Sequence, residues 1–568
     1  MTNPGPTDDN PIVFLDPETV YPGNMTQATT TQPTLSPAPH RGPTGSNRWV
    51  LAGVLLVQAL LYVPCITGEY RFNVFNRDDT ASYLALGDSL AHGRGYSRSF
   101  DPENPQPHRL WPPTFPTLIA ATLHIHESLW GIHIIVAACA MVTTCLYWRL
   151  ASKFLPGPAV AVTTLLLVCS PIFDRLALVA MTEHLVGACL LAILLLVLAW
   201  RDRSYKFTWH VAAIVLLIGA GTLLKGIFLM FVPAVWFTVL MDRAAGGRIV
   251  ARMSRVTAVM AVSLIPWLLW LVRNHLTVAD GYDGMTAVDM MLRNNNPDND
   301  PVGVVGLMGF AIDNLKWFMG ARILDTYAGL GWWLDHNVGW SMPGIVSVAL
   351  VGAVLIVALW VLVRRPEVRV VSLALLFVPL PFVVKGAGGG SPRYWMAVHP
   401  MMLLLIGVAV AAIVTRLRSR PLSKVVVTIV TAAALVPAVT LLAHDRIVRQ
   451  PQAGAVWQTY CKMAATVGRQ TESDALIIAH NPLTFRWISG RHANPNNDDN
   501  DALRGEKTLT RPIYVLVVRP KAIEDGGRKH HREDTTTLGP NDVPGVPQTV
   551  ALNDYYRFVR MRPSQPQP

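Results

Sequence analysis

The sequence predicts an all-α protein that crosses a membrane many times and carries a small α/β domain at its C-terminal end. Hydrophobic residues make up 51% of the 568 residues and charged residues only 15%, whereas soluble domains have roughly 25% charged residues. Apolar runs of about 20 residues, the length that crosses a bilayer core, recur along the chain. The net charge of +11 comes from basic residues that stand between these runs, so nucleic acid is not an expected partner.

About eleven apolar runs are long enough, or nearly long enough, to be transmembrane helices. Two of them, Pro158–Phe173 and Ile227–Met241, are short and are expected to be tilted or to enter the membrane only partly. The predicted spans are Arg48–Ile66, Leu129–Ala151, Pro158–Phe173, Thr182–Trp200, Trp209–Leu224, Ile227–Met241, Val256–Val272, Met342–Val363, Val368–Val384, Tyr394–Val414 and Lys424–Leu442.

Basic residues differ strongly between the two alternating sets of short loops. One set carries clusters such as those at residues 243–255 and 416–424, whereas the other carries only Arg175, Lys225, Lys385 and Arg393. Cytoplasmic loops are enriched in Lys and Arg. We therefore expect the N-terminus and the basic loops in the cytoplasm and the C-terminus outside, in a cell membrane.

This pattern divides the chain into three parts. Residues 1–47 are rich in Pro, Thr, Asn and Gly and are predicted to be a disordered cytoplasmic segment. Residues 48–444 form the predicted transmembrane domain. Residues 445–568 are predicted to be a non-cytoplasmic α/β domain.

Two long loops face the non-cytoplasmic side in this topology, at 67–128 and 274–341. In the C-terminal part, short β-like runs at Ala475–Ala479 and Ile513–Val518 stand among turn residues. A polar stretch near 522–543 predicts a mobile loop.

The first outer loop contains an adjacent acidic pair, Asp78 and Asp79, before Tyr83. The N-terminal end of a helix favours negative charge, so the pair can be the start of a helix that lies on the membrane surface. An acidic pair just outside a span can also supply a general base or a metal ligand. Both interpretations are open at this point.

A rigid turn follows in the same loop, because Trp111 precedes three prolines within five residues, at 112, 113 and 116. This turn is expected to return the chain to the membrane.

Charged residues at the ends of apolar spans are the other candidates. Glu183 begins a span and can act as a helix cap, while Arg175, Lys225 and Arg393 can extend their charges to water. Charges that enter apolar helices are costly unless they are used. Three cations at one membrane level suit a phosphate group held at the lipid surface.

The order and spacing of these motifs resemble the GT-C glycosyltransferases, specifically the protein O-mannosyltransferase and aminoarabinose-transferase-like group. The sequence differs from the family pattern at two places. Family members usually have Asp-Glu where this chain has Asp79-Thr80, preceded by Asp78. They usually have Pro where this chain has His184. The segments that carry it are Asp79-x-x-x-Tyr83 with Leu90-Ala91-x-Gly93-Arg94-Gly95-Tyr96, Trp111–Pro116, Met181–Leu185, Pro266-Trp267 with Arg273-Asn274, Arg393-Tyr394, and Asn481-Pro482 with Ser489-Gly490-Arg491.

This resemblance implies an enzyme that transfers a hexose or pentose from a polyprenyl-phosphate donor to a protein, lipid or glycan acceptor outside the cytoplasm. It implies direct displacement with inversion and no certain cofactor, with a divalent metal ion as an open alternative for which no ligands are predicted. The implied base is Asp79, or Asp78 in its place, and Glu183 would orient the sugar or a cation. The residues implied at the donor phosphate are Arg175, Lys225, Arg393 and Tyr394. Those implied at the substrate are Tyr83, Trp111 and His184.

Two other classes of protein compete with this hypothesis. A transporter or lipid flippase would need inverted repeats, broken helices and charges near the bilayer midplane, whereas the charges here stand at span ends and no repeat is visible. A non-catalytic assembly protein with the same fold would not need its acidic pair.

The six cysteines form no CxxC pair, and five of them lie in apolar runs. They are therefore expected to be buried apolar residues, and we predict neither a disulfide framework nor a cysteine metal site.

Overall fold

The computed structural model describes most of the chain after residue 44. The described ranges are 45–67, 78–97, 107–126, 130–242, 248–278, 284–293, 299–319, 344–384, 392–417, 422–444, 446–447, 462–469, 471, and the strands 476–479, 492–495, 513–518, 548–551 and 556–561.

The described residues before position 470 form helices and their connections. The helices are α1 (Gly45–Thr67), α2 (Asp78–Ala91), α3 (Thr114–Ile125), α4 (Trp130–Ala151), α5 (Gly157–Val168), α6 (Pro171–Leu176), α7 (Glu183–Arg201), α8 (Trp209–Thr222), α9 (Phe231–Met241), α10 (Ile249–Leu276), α11 (Ala287–Leu292), α12 (Val304–Met319), α13 (Gly344–Arg364), α14 (Arg369–Phe377), α15 (Leu380–Val384), α16 (Pro392–Trp395), α17 (His399–Leu417) and α18 (Leu422–His444), with 3-10 turns at Gly226–Met230 and Pro366–Val368.

Each predicted apolar run overlaps helical structure, and the protein is a multi-pass membrane protein. Four helical stretches in the described part of the chain are long and apolar enough to cross a bilayer, namely Trp130–Ala151, Glu183–Arg201, Ile249–Leu276 and Pro366–Val384. Shorter apolar helices occupy the other predicted runs, so the total of eleven spans stays a prediction.

Local sequence explains where the structure departs from single long helices. The Pro158–Phe173 run divides into α5 and α6 because Pro171 cannot continue a helix and instead begins a new one. The Ile227–Met241 run begins as a 3-10 turn before α9. At the N-terminal end, α1 begins at Gly45, so the predicted disordered segment ends three residues too late, within the usual uncertainty of a helix boundary.

Helix α7 lies at the centre of the bundle and packs against α4 and α8. Leu190, Leu194 and Val197 on α7 are fully buried. Outward-facing side chains such as Leu216 and Leu268 are exposed large apolar residues, which is the surface that lipid requires.

One end of the bundle is held together by Asp242, the residue after α9. Its carboxylate accepts hydrogen bonds from Arg201 at 2.8 Å and from the Tyr205 hydroxyl at 3.0 Å. Arg252 donates to the Asp242 carbonyl, and Arg369 donates to the carbonyl of Met241. Three arginines of the basic loops are thus bonded within the protein, while their placement in the cytoplasm stays a prediction.

The C-terminal strands form one mixed sheet in the order β2-β1-β3-β5-β4, with β1 parallel to β2 and β3 and β5 antiparallel to β3 and β4. The strands are β1 (Leu476–Ala479), β2 (His492–Pro495), β3 (Ile513–Val518), β4 (Gln548–Ala551) and β5 (Tyr556–Met561). The predicted strands at 475–479 and 513–518 match β1 and β3. A separate outer domain stays a prediction, and the loop near 522–543 and residues 1–44 lie outside the described residues.

Candidate functional site

The first outer loop does form the helix that its sequence predicts, and this helix α2 presents Asp79 and Tyr83 one turn apart. The Asp79 carboxylate forms an ion pair with the guanidinium group of Arg393. Arg393 lies on α16, the short helix before α17. Asp79 therefore does more than begin a helix, because it holds a cation from a distant part of the chain. The side chain of Asp78 lies outside the described residues.

A second ion pair joins Glu183, in the first turn of α7, to Lys225, between α8 and the 3-10 turn. The Lys225 Nζ lies 3.1 Å from Glu183 Oε1. The Glu183 side chain is buried, and its other oxygen, Oε2, has no hydrogen-bond partner among the described residues. Glu183 is thus an ion-pair partner with a spare acceptor oxygen at the end of a membrane helix.

The ring of Tyr394 connects the two ion pairs. Lys225 Nζ lies 5.1 Å from the centre of this ring, and the Arg393 guanidinium carbon lies 4.7 Å from it. Arg393 also donates a hydrogen bond of 2.8 Å to the Tyr394 hydroxyl, and Phe382 stacks on the ring at 4.9 Å. Both cations are therefore held against one aromatic surface, an arrangement that stabilises positive charge.

Electrostatic coupling also joins the two pairs. Burial disfavours the charged form of Arg393, but Asp79, Tyr394 and Glu183 together raise its pKa above the ordinary value. Arg393 therefore stays a cation at any working pH, and its charge interacts with both carboxylates.

Tyr83 lies beside both carboxylates. Its side chain is buried and lies near the side chain of Thr182. Burial, followed by the charges of Asp79 and Glu183, raises the pKa of Tyr83 well above the usual value. The hydroxyl therefore remains protonated and can donate a hydrogen bond.

Trp111 extends the aromatic surface from Tyr83, since the two ring centres are 5.3 Å apart. Its carbonyl accepts a hydrogen bond of 2.6 Å from the Tyr96 hydroxyl, and its backbone N–H donates to His108 Nε2 at 3.0 Å. The indole Nε1 is buried and has no hydrogen-bond partner in the described part of the chain. The substrate contact that the sequence predicts for Trp111 stays a prediction, and its indole N–H is the donor with which it would be made.

The glycine motif of the first loop explains how Tyr96 reaches Trp111. Gly93 and Gly95 have φ angles of 70° and 78°, in the left-handed region that glycine tolerates. Between them, Arg94 pairs with Asp88 on α2. The motif therefore turns the chain back at the end of α2.

Two arginines that the sequence-based site omitted lie next to Trp111. Arg273, near the end of α10, donates to the His108 carbonyl, and its neighbour Asn274 donates to the Arg109 carbonyl at 3.0 Å. The Arg109 and Arg273 guanidinium groups are close enough to repel each other. Among the described residues neither has a carboxylate partner, and Arg109 Nε is buried without a hydrogen-bond partner. Arg273-Asn274 is one of the segments that carry the family resemblance, so the sequence did contain an indication that Arg273 belongs to the site.

Two predicted site residues are placed differently. His184 follows Glu183, but its Nε2 lies 2.8 Å from the Phe173 carbonyl, and its ring packs edge-on against Phe173 at 4.5 Å. The ring therefore fastens α6 to α7, and the substrate contact predicted for His184 stays a prediction. Arg175 is exposed on α6, beside Asp174, whose buried carboxylate pairs with Arg446.

The arrangement as a whole pairs negative and positive charges at one end of the bundle. In the described part of the chain, no three His, Cys, Asp or Glu side chains form a group that could hold a metal ion. The described carboxylates of the site each face a cation instead. Such a site can offer a carboxylate as a proton acceptor and cations for a phosphate.

Part of the chain is similar to a known protein family. The sequence profile of a family described as dolichyl-phosphate-mannose-protein mannosyltransferase matches residues 111–270, which run from Trp111 to near the end of α10. No curated protein sequence matches the chain.

Solved structures are similar over nearly the whole chain. ArnT from Cupriavidus metallidurans in the apo state has a TM-score of 0.53 at 13% identity, covering 92% of this chain and 100% of that one. The same protein bound to undecaprenyl phosphate has a TM-score of 0.52 at 12% identity, covering 93% and 100%. An Archaeoglobus fulgidus oligosaccharyltransferase in the apo form has a TM-score of 0.50 at 12% identity, covering 84% and 70%.

The chain therefore shares its fold with ArnT and with the oligosaccharyltransferase, the GT-C fold that the sequence motifs predict. By sequence, residues 111–270 resemble the protein-mannosyltransferase family. The resemblance that the sequence motifs predict is thus confirmed, and at these identities the structural likeness concerns the fold alone.

Proposed function

We propose that this protein transfers a sugar from a polyprenyl-phosphate-linked donor to an acceptor at the non-cytoplasmic face of the membrane. The observation that carries the proposal is the pairing of Asp79 with Arg393 and of Glu183 with Lys225 at one end of a membrane helix bundle. The family profile over residues 111–270 supports it, as does the similar ArnT structure with bound undecaprenyl phosphate.

The ion pairs suggest how binding of the donor prepares the reaction. A lipid-linked donor keeps its phosphate near the bilayer surface, so the cations that hold it must stand at helix ends, as Lys225 and Arg393 do. A phosphate that binds Arg393 competes with Asp79 for the same guanidinium group. The Asp79 carboxylate is then released to accept the proton of an acceptor hydroxyl.

The same cations stabilise the products. When the acceptor oxygen displaces the lipid phosphate from the anomeric carbon, the leaving phosphate gains negative charge. Cations that are already fixed against the Tyr394 ring stabilise this charge without reorganisation. Direct displacement would invert the anomeric centre, as the resemblance implies.

Arg109 and Arg273 are a second candidate for the donor phosphate. Unlike Lys225 and Arg393, these two arginines face no carboxylate among the described residues, so a phosphate could bind them without breaking an ion pair. Trp111 links this pair to Tyr83. The donor phosphate therefore binds either between the two ion pairs or beside Trp111, and mutation distinguishes the two positions.

Asp79→Asn is expected to lower transfer by roughly a hundredfold or more, because the amide cannot accept the acceptor's proton. Mass spectrometry of envelope glycans, glycolipids and glycoproteins after deletion first identifies the sugar and the acceptor. Transfer is then measured with the purified protein in lipid bilayers. Asp88→Asn is the matched control, since Asp88 lies on the same helix but pairs with Arg94. Full activity of Asp79→Asn would remove this mechanism.

Arg393→Ala and Arg273→Ala are expected to differ in their effect on the lipid donor. The arginine that holds the phosphate contributes a charge-assisted hydrogen bond of about 1.5–3 kcal/mol, so its loss should raise the donor KM by roughly ten- to a hundredfold. The measurement is donor dependence at saturating acceptor, with Arg94→Ala as the control. An unchanged donor KM in both variants would contradict both phosphate positions.

A further inference from the structure

Helix α12 (Val304–Met319) lies in the second long loop, where the sequence predicts no span. It has 16 residues, which at 1.5 Å per residue is too short to cross a bilayer core of about 30 Å. It packs mainly against α15 (Leu380–Val384), the end of the candidate span Pro366–Val384, and it also contacts α13 (Gly344–Arg364). The helix therefore lies beside the end of a membrane span and does not cross with it.

The side chains of α12 sort onto three sides when they are placed at about 100° per residue. Leu307, Phe310 and Asn314 form the side that packs on the protein. They are partly or fully buried, and the Asn314 side-chain amide donates a hydrogen bond of 3.1 Å to the Val383 carbonyl. This side fixes the rotation of the helix about its own axis.

A second side is apolar and faces away from the protein. Val304, Met308 and Ile312 follow each other at intervals of four residues, with Val305 beside them, and they are between 51% and 84% exposed. We call these four residues the apolar face. Leu380, on the span that α12 packs against, is also exposed, so both helices of this contact carry apolar side chains that the protein does not cover.

The third side, which borders both the apolar face and the packed side, carries small and polar residues. Gly306, Gly309 and Asp313 lie there, and Gly309 and Asp313 are exposed. A helix at the boundary between a membrane and water needs this arrangement when protein occupies one side, lipid the next and water the last.

We propose that the apolar face of α12 inserts into the edge of the bilayer hydrocarbon at the end of the bundle that holds the Asp79 and Glu183 ion pairs. The occupant is lipid acyl chain, because α12 packs on the end of a candidate membrane span that also exposes an apolar side chain, Leu380. Four neighbouring apolar side chains exposed to water would be unfavourable.

Insertion at this position would also hold one wall of the site at the membrane surface. Helix α12 contacts α15, where Phe382 stacks on Tyr394 and lies 5.9 Å from Lys225 Nζ. This consequence for a lipid-linked substrate rests on the proposed function, whereas the insertion itself does not.

The test uses the full-length protein in lipid nanodiscs with a spin label at one introduced cysteine. The labelled positions are 305, 308 and 312 on the apolar face, made as Val305→Cys, Met308→Cys and Ile312→Cys, with Asp313→Cys as the control on the polar side. The unsubstituted chain, with its own six cysteines, supplies the background. Collision with oxygen, which concentrates in lipid, is compared with collision with a water-soluble nickel chelate.

Labels on the apolar face should collide more with oxygen than with the nickel chelate, and the label at 313 should show the reverse. Higher nickel accessibility at 305, 308 and 312 would place the face in water and overturn the proposal. Low accessibility to both reagents would indicate a second copy of the chain on this face and would also overturn it. Because no result depends on catalysis, failure here is distinguishable from failure of the proposed function.

Discussion

Single residues of the site act in pairs of opposite charge, and each pair places a cation from one helix end on a carboxylate from another. Glu183 and Lys225 are the more buried of the two described pairs, with exposed side-chain fractions of 2% and 18%. Breaking such a pair by removing one partner is costly, because the other charge remains buried and uncompensated. Removing both charges costs much less.

Lys225→Met is therefore expected to destabilise the protein by roughly 3 kcal/mol, because it leaves the Glu183 carboxylate without its cation. The double variant Lys225→Met with Glu183→Gln should recover most of this stability without recovering transfer. Thermal unfolding in detergent, run beside the transfer assay, separates the two effects.

Glu367→Ala supplies the control for this experiment. Glu367 pairs with Arg365 where both side chains are more than 40% exposed, so its loss should change stability by less than about 1 kcal/mol. A double variant as unstable as Lys225→Met alone would show that Glu183 and Lys225 do not stabilise the fold as a pair.

Helices position the site through close packing as well as through charge. Helix α2, which carries Asp79 and Tyr83, packs on α3 at Gly87, where an added Cβ would overlap the side chain of Ile119. Helix α3 is in turn fastened to the end of α8, since the Thr114 N–H and hydroxyl donate to the carbonyls of Leu223 and Ala220 at 3.0 and 3.1 Å. Thr114 thereby satisfies carbonyls that a helix end leaves without partners.

Gly87→Val is expected to push α2 away from α3 and to lower the free energy of unfolding by about 1–3 kcal/mol. The displacement should separate Asp79 from Arg393 and reduce transfer more than it reduces overall stability. Hydrogen exchange would show faster exchange in α2 and α3 with little change in α7. Gly53→Ala is the control, because a Cβ at Gly53 meets no atom within 4 Å; equal effects of both changes would argue against the packing role of Gly87.

The molecule as a whole has two chemically different ends. Arg201, Arg252 and Arg369 gather around Asp242 at one end, whereas Asp79, Glu183, Lys225 and Arg393 gather at the other. The enrichment of cytoplasmic loops in basic residues predicts that the arginine-rich end lies in the cytoplasm. The site is then predicted to face outside, as the proposed function requires.

Labelling of introduced cysteines in intact cells tests this orientation. His92→Cys, at an exposed position just after α2, should react with a maleimide that cannot cross membranes. Arg203→Cys, at an exposed position after α7, should react only after permeabilisation. The unsubstituted chain measures labelling of the native cysteines, and the reverse pattern would place the site in the cytoplasm.

Sequence and structure contribute differently to the site. The residue types and their places at span ends single out Asp79, Glu183, Lys225 and Arg393, because a charge in an apolar helix is conspicuous in a sequence. The sequence did not show that the His184 ring contacts Phe173 or that Arg109 and Arg273 lie next to Trp111. Side-chain direction is the reason, since adjacent residues such as Glu183 and His184 point to different sides of a helix.

By itself, the sequence determined that the protein is a helical membrane protein, where its apolar helices run and which side the positive-inside rule assigns to each loop. These properties depend on composition and order along the chain, so no knowledge of packing is needed. Only the tertiary structure decided that Asp79 meets Arg393, that Lys225 meets Glu183 and that Arg109 and Arg273 face no carboxylate among the described residues. Such pairings join residues far apart in sequence, and they depend on which helices pack together and how each is rotated.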